Sequence, residues 1–153
     1  MLKKLVIPAS FIWLGLILGI SFIEAPLKFQ APGITIPLGL GIGRLVFSAV
    51  NKLELLLMVI AFFSALSSNR VLKIGFYSII ILALILLFQT LYLLPALDER
   101  AELVLQGQLI PPSFHHQLYI VLETIKLILL LFSGLYYMNK LFPNHEIRHN
   151  FRK

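Results

Sequence analysis

The chain has 153 residues, of which 59% are hydrophobic and 13% charged, with a formal net charge of +6 and no cysteine. A soluble domain of this size is about a quarter charged, so the composition predicts a single integral membrane domain over 1–153. The missing cysteines exclude disulfides, thiol redox pairs and thiolate metal sites. Basic residues at the ends of apolar segments do not indicate a nucleic-acid partner.

The first apolar segment predicts a membrane-spanning helix over about 5–25. Its length exceeds the core of a signal peptide, so we expect a retained helix. Gly15 and Gly19 form a small-xxx-small face, which lets another helix approach closely. Glu24, Pro26 and Lys28 mark its far end.

A segment rich in proline and glycine, 30–44, follows and predicts a loop or a re-entrant hairpin. The second span is predicted over about 40–67. At 100° per residue, Arg44, Asn51 and Glu54 share one face of this helix, and Glu54 lies about 19 Å from the residues that end the span. That depth excludes an effect of the helix end.

The third span is predicted over about 74–97, with Gln89 and Tyr92 in its last two turns. The charged segment after Pro95 predicts a separate interfacial helix over about 96–107. The fourth span is predicted over about 112–139, because a double proline favours the first turn of a helix. Five polar residues occupy about a third of its circumference: His115, His116, Tyr119, Glu123 and Lys126.

Lysine and arginine set the expected orientation. Eight of them lie at one set of helix ends or in the tail after Leu141: Lys3, Lys4, Arg70, Lys73, Lys140, Arg148, Arg152 and Lys153. This bias predicts both termini in the cytoplasm, which four spans allow. The fold class is therefore an all-α, integral membrane four-helix bundle of the inner membrane.

Counting residues from the cytoplasmic ends places polar groups from all four helices in the outer half of the membrane. The inner half is almost free of them. This predicts a polar pocket that opens outward above an apolar floor. Its candidate ligand-binding residues are Glu24, Arg44, Asn51, Glu54, Gln89, Tyr92, His115, His116, Tyr119, Glu123 and Lys126.

Three interpretations of this layer remain open. It could be structural, with a buried Glu54–Lys126 pair and with Asn51 and Gln89 as hydrogen bonds between helices. It could be a proton site or a site for a divalent metal ion, with His116, Glu123 and Glu54 as ligands. It could be a pocket for a lipid-like or aromatic ligand, in which catalysis is left open.

The segments 19–29 and 39–54 and the HHxxYxxxExxK pattern from His115 to Lys126 resemble small four-helix membrane proteins. The nearest are the copper-resistance-D-like proteins and, more distantly, the anthrone-oxygenase-like membrane proteins. The resemblance implies four spans and points to metal handling or oxidative chemistry.

A ligand- or metal-binding membrane protein is the function that these patterns favour. The alternative is an accessory subunit of a membrane complex, or a homo-oligomer, docked through the Gly15/Gly19 face. A binding site requires the polar stripes to face one another within one chain, whereas a subunit requires them to face its partner.

Overall fold

The computed structural model describes residues 2–67 and 73–142, and these residues form an all-helical bundle. Its four long helices are α1 (Leu2–Gln30), α2 (Ile36–Leu66), α3 (Ile74–Leu105) and α4 (His115–Leu141). At 1.5 Å per residue they are about 40–48 Å long, and each is apolar enough to cross a membrane. This confirms the predicted fold class at the level of four candidate spans.

The helices alternate in direction, so the bundle has two distinct ends. At the terminal end, α1 and α3 begin and α2 and α4 end; at the loop end lie the connections 31–35 and 106–114. Helix α1 packs against α2 and α4, and α3 packs against the same two helices. Arg70, Arg148, Arg152 and Lys153, which the orientation prediction uses, lie outside the described residues, as does most of the tail after Leu141.

The glycine-rich segment is helical, so the predicted loop or re-entrant hairpin is wrong for its second half. Thr35 begins α2, because its side-chain oxygen accepts from the backbone N–H of Leu38 at 3.3 Å and a proline occupies the first turn. Gly39 allows close packing against α1. A Cβ at this position would lie 2.3 Å from the ring of Phe29, so a larger residue would displace that ring.

Helix α3 continues through Pro95 to Leu105, so the predicted separate helix over about 96–107 is the last part of this span. A π-helical segment, Gln89–Leu93, precedes the proline. The N–H of Leu94 bonds to the carbonyl of Gln89, five residues back. This wider turn accommodates the proline ring, which would otherwise clash with a carbonyl and break the helix.

Helix α1 uses the same device. Its π-helical segment is Leu18–Glu24, and the N–H of Ala25, just before Pro26, bonds to the carbonyl of Ile20. Each proline therefore leaves its helix continuous and places a π segment on its N-terminal side. Both segments lie in the half of the bundle nearer the loop end.

Helix α4 begins at His115, three residues later than predicted. The double proline, Pro111 and Pro112, therefore lies in the connection before the helix. There the carbonyl of Pro111 accepts a hydrogen bond from the guanidinium of Arg100.

Apolar side chains form the core of the half nearer the terminal end and also cover the outside of the bundle. The core includes Val6, Ile17, Ile79, Leu82 and Leu130, all completely buried. Large apolar side chains such as Leu45, Leu84 and Leu91 are exposed. An exterior this apolar is suited to contact with lipid.

Candidate functional site

A cluster of charges lies inside the bundle, and we call Glu54, Glu123 and Lys126 the triad. The ammonium Nζ of Lys126 lies 2.6 Å from Oε1 of Glu54 and 2.7 Å from Oε1 of Glu123. None of the three residues exposes more than 2% of its surface. The predicted contact between Glu54 and Lys126 is therefore present, and a second carboxylate joins it.

Three neutral donors complete the surroundings of the triad. Trp13 of α1 donates its indole N–H to Oε1 of Glu54 at 2.7 Å. Gln89 of α3 donates to Oε1 of Glu123 at 2.9 Å, and Ser21 of α1 donates to Oε2 of Glu123 at 3.1 Å. All four helices thus contribute a hydrogen-bonding group, and these groups face one another within one chain.

The two π-helical segments supply two of these donors. Ser21 belongs to the segment Leu18–Glu24 and Gln89 to the segment Gln89–Leu93, and both donate to Glu123. Short π segments within α-helices occur frequently at functional sites. Here the prolines that require the wider turns also determine where Glu123 finds its partners.

Aromatic rings cover the triad on the side of the loop end. Tyr119 lies one turn before Glu123 on α4 and is 6% exposed. Its ring packs edge-on against Phe47 of α2, with the ring centroids 5.7 Å apart. The ammonium of Lys28 lies 5.4 Å from the centroid of Phe47, so a cation covers this aromatic pair.

Two of the predicted site residues are engaged elsewhere, in ion pairs nearer the loop end. Glu24 pairs with Lys28 at 3.4 Å. The guanidinium of Arg44 donates two hydrogen bonds to the carboxylate of Asp98, one of them 3.0 Å long, and it also donates to Glu102. Arg44, which was predicted to orient a ligand in the pocket, is instead held at the surface by acidic residues of the last turns of α3.

Asn51 connects α2 and α3 as the structural interpretation predicted, although through a residue that the prediction did not name. Its amide donates to the hydroxyl of Thr90 at 2.8 Å. Thr90 in turn donates to the carbonyl of Leu86. This contact lies beside the triad and bonds to none of its members.

The histidines and Tyr92 lie at the edge of the bundle. His115 stacks on Phe114, with centroids 4.8 Å apart, and lies 6.0 Å from the ring of the half-exposed Tyr92. His116 is exposed. The expectation that these side chains line a common interior pocket with Glu123 is therefore not met by the structure.

The metal-site hypothesis finds no support in the part of the chain that the structure describes. Within 2–67 and 73–142, no three histidine or acidic side chains are grouped to hold a metal ion. The two carboxylates of the proposed ligand set both bond to the ammonium of Lys126, at 2.6 and 2.7 Å, and His116 is exposed away from them.

Sequence reasoning missed Trp13 and Ser21, both on α1. Trp13 is the only tryptophan of the chain. A lone tryptophan in the middle of an apolar span indicates a polar group nearby, because its indole N–H needs a hydrogen-bond acceptor when it is buried.

The half nearer the terminal end is less apolar than predicted. Five hydroxyl-bearing side chains are buried there: Ser10, Ser64, Ser78, Ser133 and Tyr137. The expected apolar floor is therefore interrupted by hydroxyl groups, although completely buried apolar side chains such as Val6, Ile79 and Leu130 make up most of it.

The predicted glycine face is exposed to the outside of the bundle. A Cβ at Gly15 or at Gly19 would meet nothing within 4 Å, whereas one at Gly75 or Gly134 would lie under 3.0 Å from an aromatic ring. The close helix contacts of this chain therefore use other glycines.

The triad has one more carboxyl group than it has ammonium groups. With both carboxyls ionised it carries a formal charge of −1, in surroundings almost without access to solvent. The side-chain carbonyl of Gln89 is also buried and accepts no hydrogen bond from any described residue. The site therefore has spare negative charge and a spare acceptor, which together suit a positively charged donor of hydrogen bonds.

Comparison of the chain with protein-family models, with curated proteins and with solved structures found no match.

Proposed function

We propose that this chain is a multi-pass protein of the inner membrane, with both termini in the cytoplasm, and that the triad binds a small hydrogen-bond-donating cation. Ammonium and small primary amines are ligands of this class. The observation that carries the proposal is the triad itself, with a formal charge of −1 and the unpaired carbonyl of Gln89 beside it. Access to the triad from both sides of the membrane would suit transport, whereas access from one side would suit binding or catalysis.

The energetics support a ligand of this charge. An unbalanced buried charge costs several kcal/mol or more, and a bound cation removes most of that cost. A hydrogen-bond donor also satisfies the carbonyl of Gln89, which sodium or potassium does less well in a site with so few oxygen ligands.

Entry is proposed from the loop end, where Tyr119, Phe47 and Lys28 cover the triad. The ammonium of Lys28 lies over the ring of Phe47 and pairs with Glu24, so this side chain must move aside before another cation passes the same surface. In this proposal the site opens outward, toward the loop end, as the sequence predicts. The described structure is then its closed state.

Thermal melting in matched salts tests the proposal. At equal ionic strength, ammonium or methylammonium chloride should raise the melting temperature of the purified protein above its value in sodium or tetramethylammonium chloride. A ligand at a hundred times its Kd stabilises a protein by about 2.7 kcal/mol. Equal melting temperatures in all four salts would refute the proposal.

Two variants locate the effect. Gln89→Leu and Glu123→Gln should each abolish the difference between ammonium and sodium, because each removes an acceptor or the negative charge. Arg44→Gln is the matched control, since Arg44 lies outside the triad, and it should keep the difference.

The alternative function is an accessory subunit docked through Gly15 and Gly19. The observation that favours it is the open space at both glycines. Mass measurement of the complex extracted under mild conditions, with wild type and Gly15→Leu, separates the two proposals. A larger assembly that Gly15→Leu dissolves supports the subunit, and a monomer in both supports the binding protein.

A further inference from the structure

Two hydroxyl groups near the terminal end are buried without a hydrogen bond. Ser133 and Tyr137 of α4 are both 0% exposed. Neither hydroxyl has a partner among the described residues. A buried polar group without a partner costs about 1–3 kcal/mol, so such groups require an explanation.

Ser133 differs in this respect from the other buried serines. A serine inside a helix ordinarily donates to a backbone carbonyl of the preceding turn. The other three donate to carbonyls at 2.7 to 2.8 Å: Ser10 to Val6, Ser64 to Leu2 and Ser78 to Gly75. The hydroxyl of Ser133 does not, and so it is available to another partner.

The position of the pair connects it to the triad. Lys126, Leu130, Ser133 and Tyr137 all belong to the buried face of α4. Ser133 lies seven residues, or about 10 Å, from Lys126, with the layer of Leu130 between them. Tyr137 lies four residues, or about 6 Å, before the end of the helix.

We propose that Ser133 and Tyr137 bind water inside the bundle and that this buried water exchanges with the solvent at the terminal end. Ser133 and Tyr137 lie one turn apart on the same face of α4, so water in this part of the interior is near both side chains. Such water supplies the partner that both hydroxyls lack. Since the layer of Leu130 separates the site from the triad, the nearer bulk water is beyond Tyr137.

The site deepens the proposed function by giving the triad a second approach. The aromatic cover of Tyr119 and Phe47 closes the triad toward the loop end, and the layer of Leu130 closes it toward the hydrated site. A cation-binding site with one such barrier on each side is suited to moving its ligand across the membrane. The inference rests on the proposed membrane topology and not on the identity of the ligand.

The absence of native cysteine makes this inference directly testable. Thiols react as thiolates, which form where water is present, so Ser133→Cys should react with a small membrane-impermeant methanethiosulfonate added on the terminal side of sealed vesicles. The exposed Ser67→Cys identifies that side. Leu130→Cys, one turn away in the apolar layer, is the matched control and should react at least about tenfold more slowly. Failure of Ser133→Cys to react, or reaction from the loop side alone, would overturn the inference.

A second measurement keeps the inference testable should Ser133→Cys fold poorly. If Tyr137 bonds to water, Tyr137→Phe should lower the melting temperature, because the water loses a partner. If its hydroxyl is simply unpaired, the same change should raise the melting temperature or leave it unaltered, which contradicts the inference. Tyr136→Phe, on the less buried neighbouring ring, is the control. Neither result depends on ammonium binding, so failure here is distinguishable from failure of the proposed function.

Discussion

The molecule contains two clusters with the same composition, one cation and two carboxylates, in opposite surroundings. The triad of Glu54, Glu123 and Lys126 is buried, with side-chain exposures of 0–2%. The outer cluster consists of Arg44, Asp98 and Glu102, whose side chains are 29%, 53% and 47% exposed. The same set of charged groups therefore affects stability differently in the two clusters, because water and dissolved salt screen the outer cluster and hardly screen the triad.

The cation of each cluster suits its surroundings. The planar guanidinium of Arg44 binds Asp98 through two parallel bonds, a geometry that holds α2 against α3 at the surface. The compact ammonium of Lys126 bonds to two carboxylates at once, at 2.6 and 2.7 Å. We infer that the outer cluster orients α2 relative to α3, whereas the triad makes the larger contribution to the free energy of unfolding.

The largest expected effect is the removal of the central ammonium. Lys126→Met keeps the length and the apolar stem of the side chain but leaves Glu54 and Glu123 buried without a counter-ion. Breaking a buried pair in this way costs about 3–5 kcal/mol. Thermal melting in detergent should show a large loss, while Leu130→Met, one turn away on the same face, should change stability by less than about 1.5 kcal/mol.

A double variant sharpens this result. Glu54→Gln in the Lys126→Met background removes one of the stranded charges, so the double variant should be more stable than the sum of the two single losses predicts. Strict additivity would mean that the two side chains do not interact, and the comparison between the clusters would lose its basis.

The second prediction concerns the donor that the sequence analysis missed. Trp13→Phe retains most of the apolar ring and removes the indole N–H that bonds to Glu54 at 2.7 Å. A hydrogen bond between side chains within a membrane is worth about 1–2 kcal/mol. Melting should show a loss of this size, which should shrink when Glu54 is already Gln, since the acceptor has then lost its charge.

The sequence predicted the Glu54–Lys126 pair better than its surroundings, for reasons of geometry. Glu54 and Lys126 emerged from counting, because depth along a straight helix follows from 1.5 Å per residue. On the helical wheel the buried residues Tyr119, Glu123 and Lys126 centre on one direction, and His115 and His116 lie about 50° to either side of it. At the first turn of α4 this offset is enough to turn His116 outward.

The errors at prolines and glycines have a different origin. A proline predicts a helix end from local sterics alone, but Pro26 and Pro95 each follow a π segment that absorbs the clash. Gly39 looked like part of a loop, yet it lies in a helix that packs on Phe29. Such choices depend on tertiary contacts, which a single sequence does not display.

The smallest expected effect belongs to the outer cluster and completes the comparison. Arg44→Gln removes a cation from a site where Asp98 and Glu102 remain hydrated by solvent, so the loss of stability should be small. Because exposed charges are screened, the loss should also shrink between low salt and about 1 M salt, where the screening length falls to about 3 Å. The loss from Lys126→Met should be nearly independent of sodium chloride concentration, since the buried triad is shielded from the screening ions of the solvent. Melting curves of both variants at the two salt concentrations measure this directly. A loss from Arg44→Gln that equalled that of Lys126→Met and resisted salt would show that the two clusters are energetically alike, and burial would then not be what distinguishes the triad.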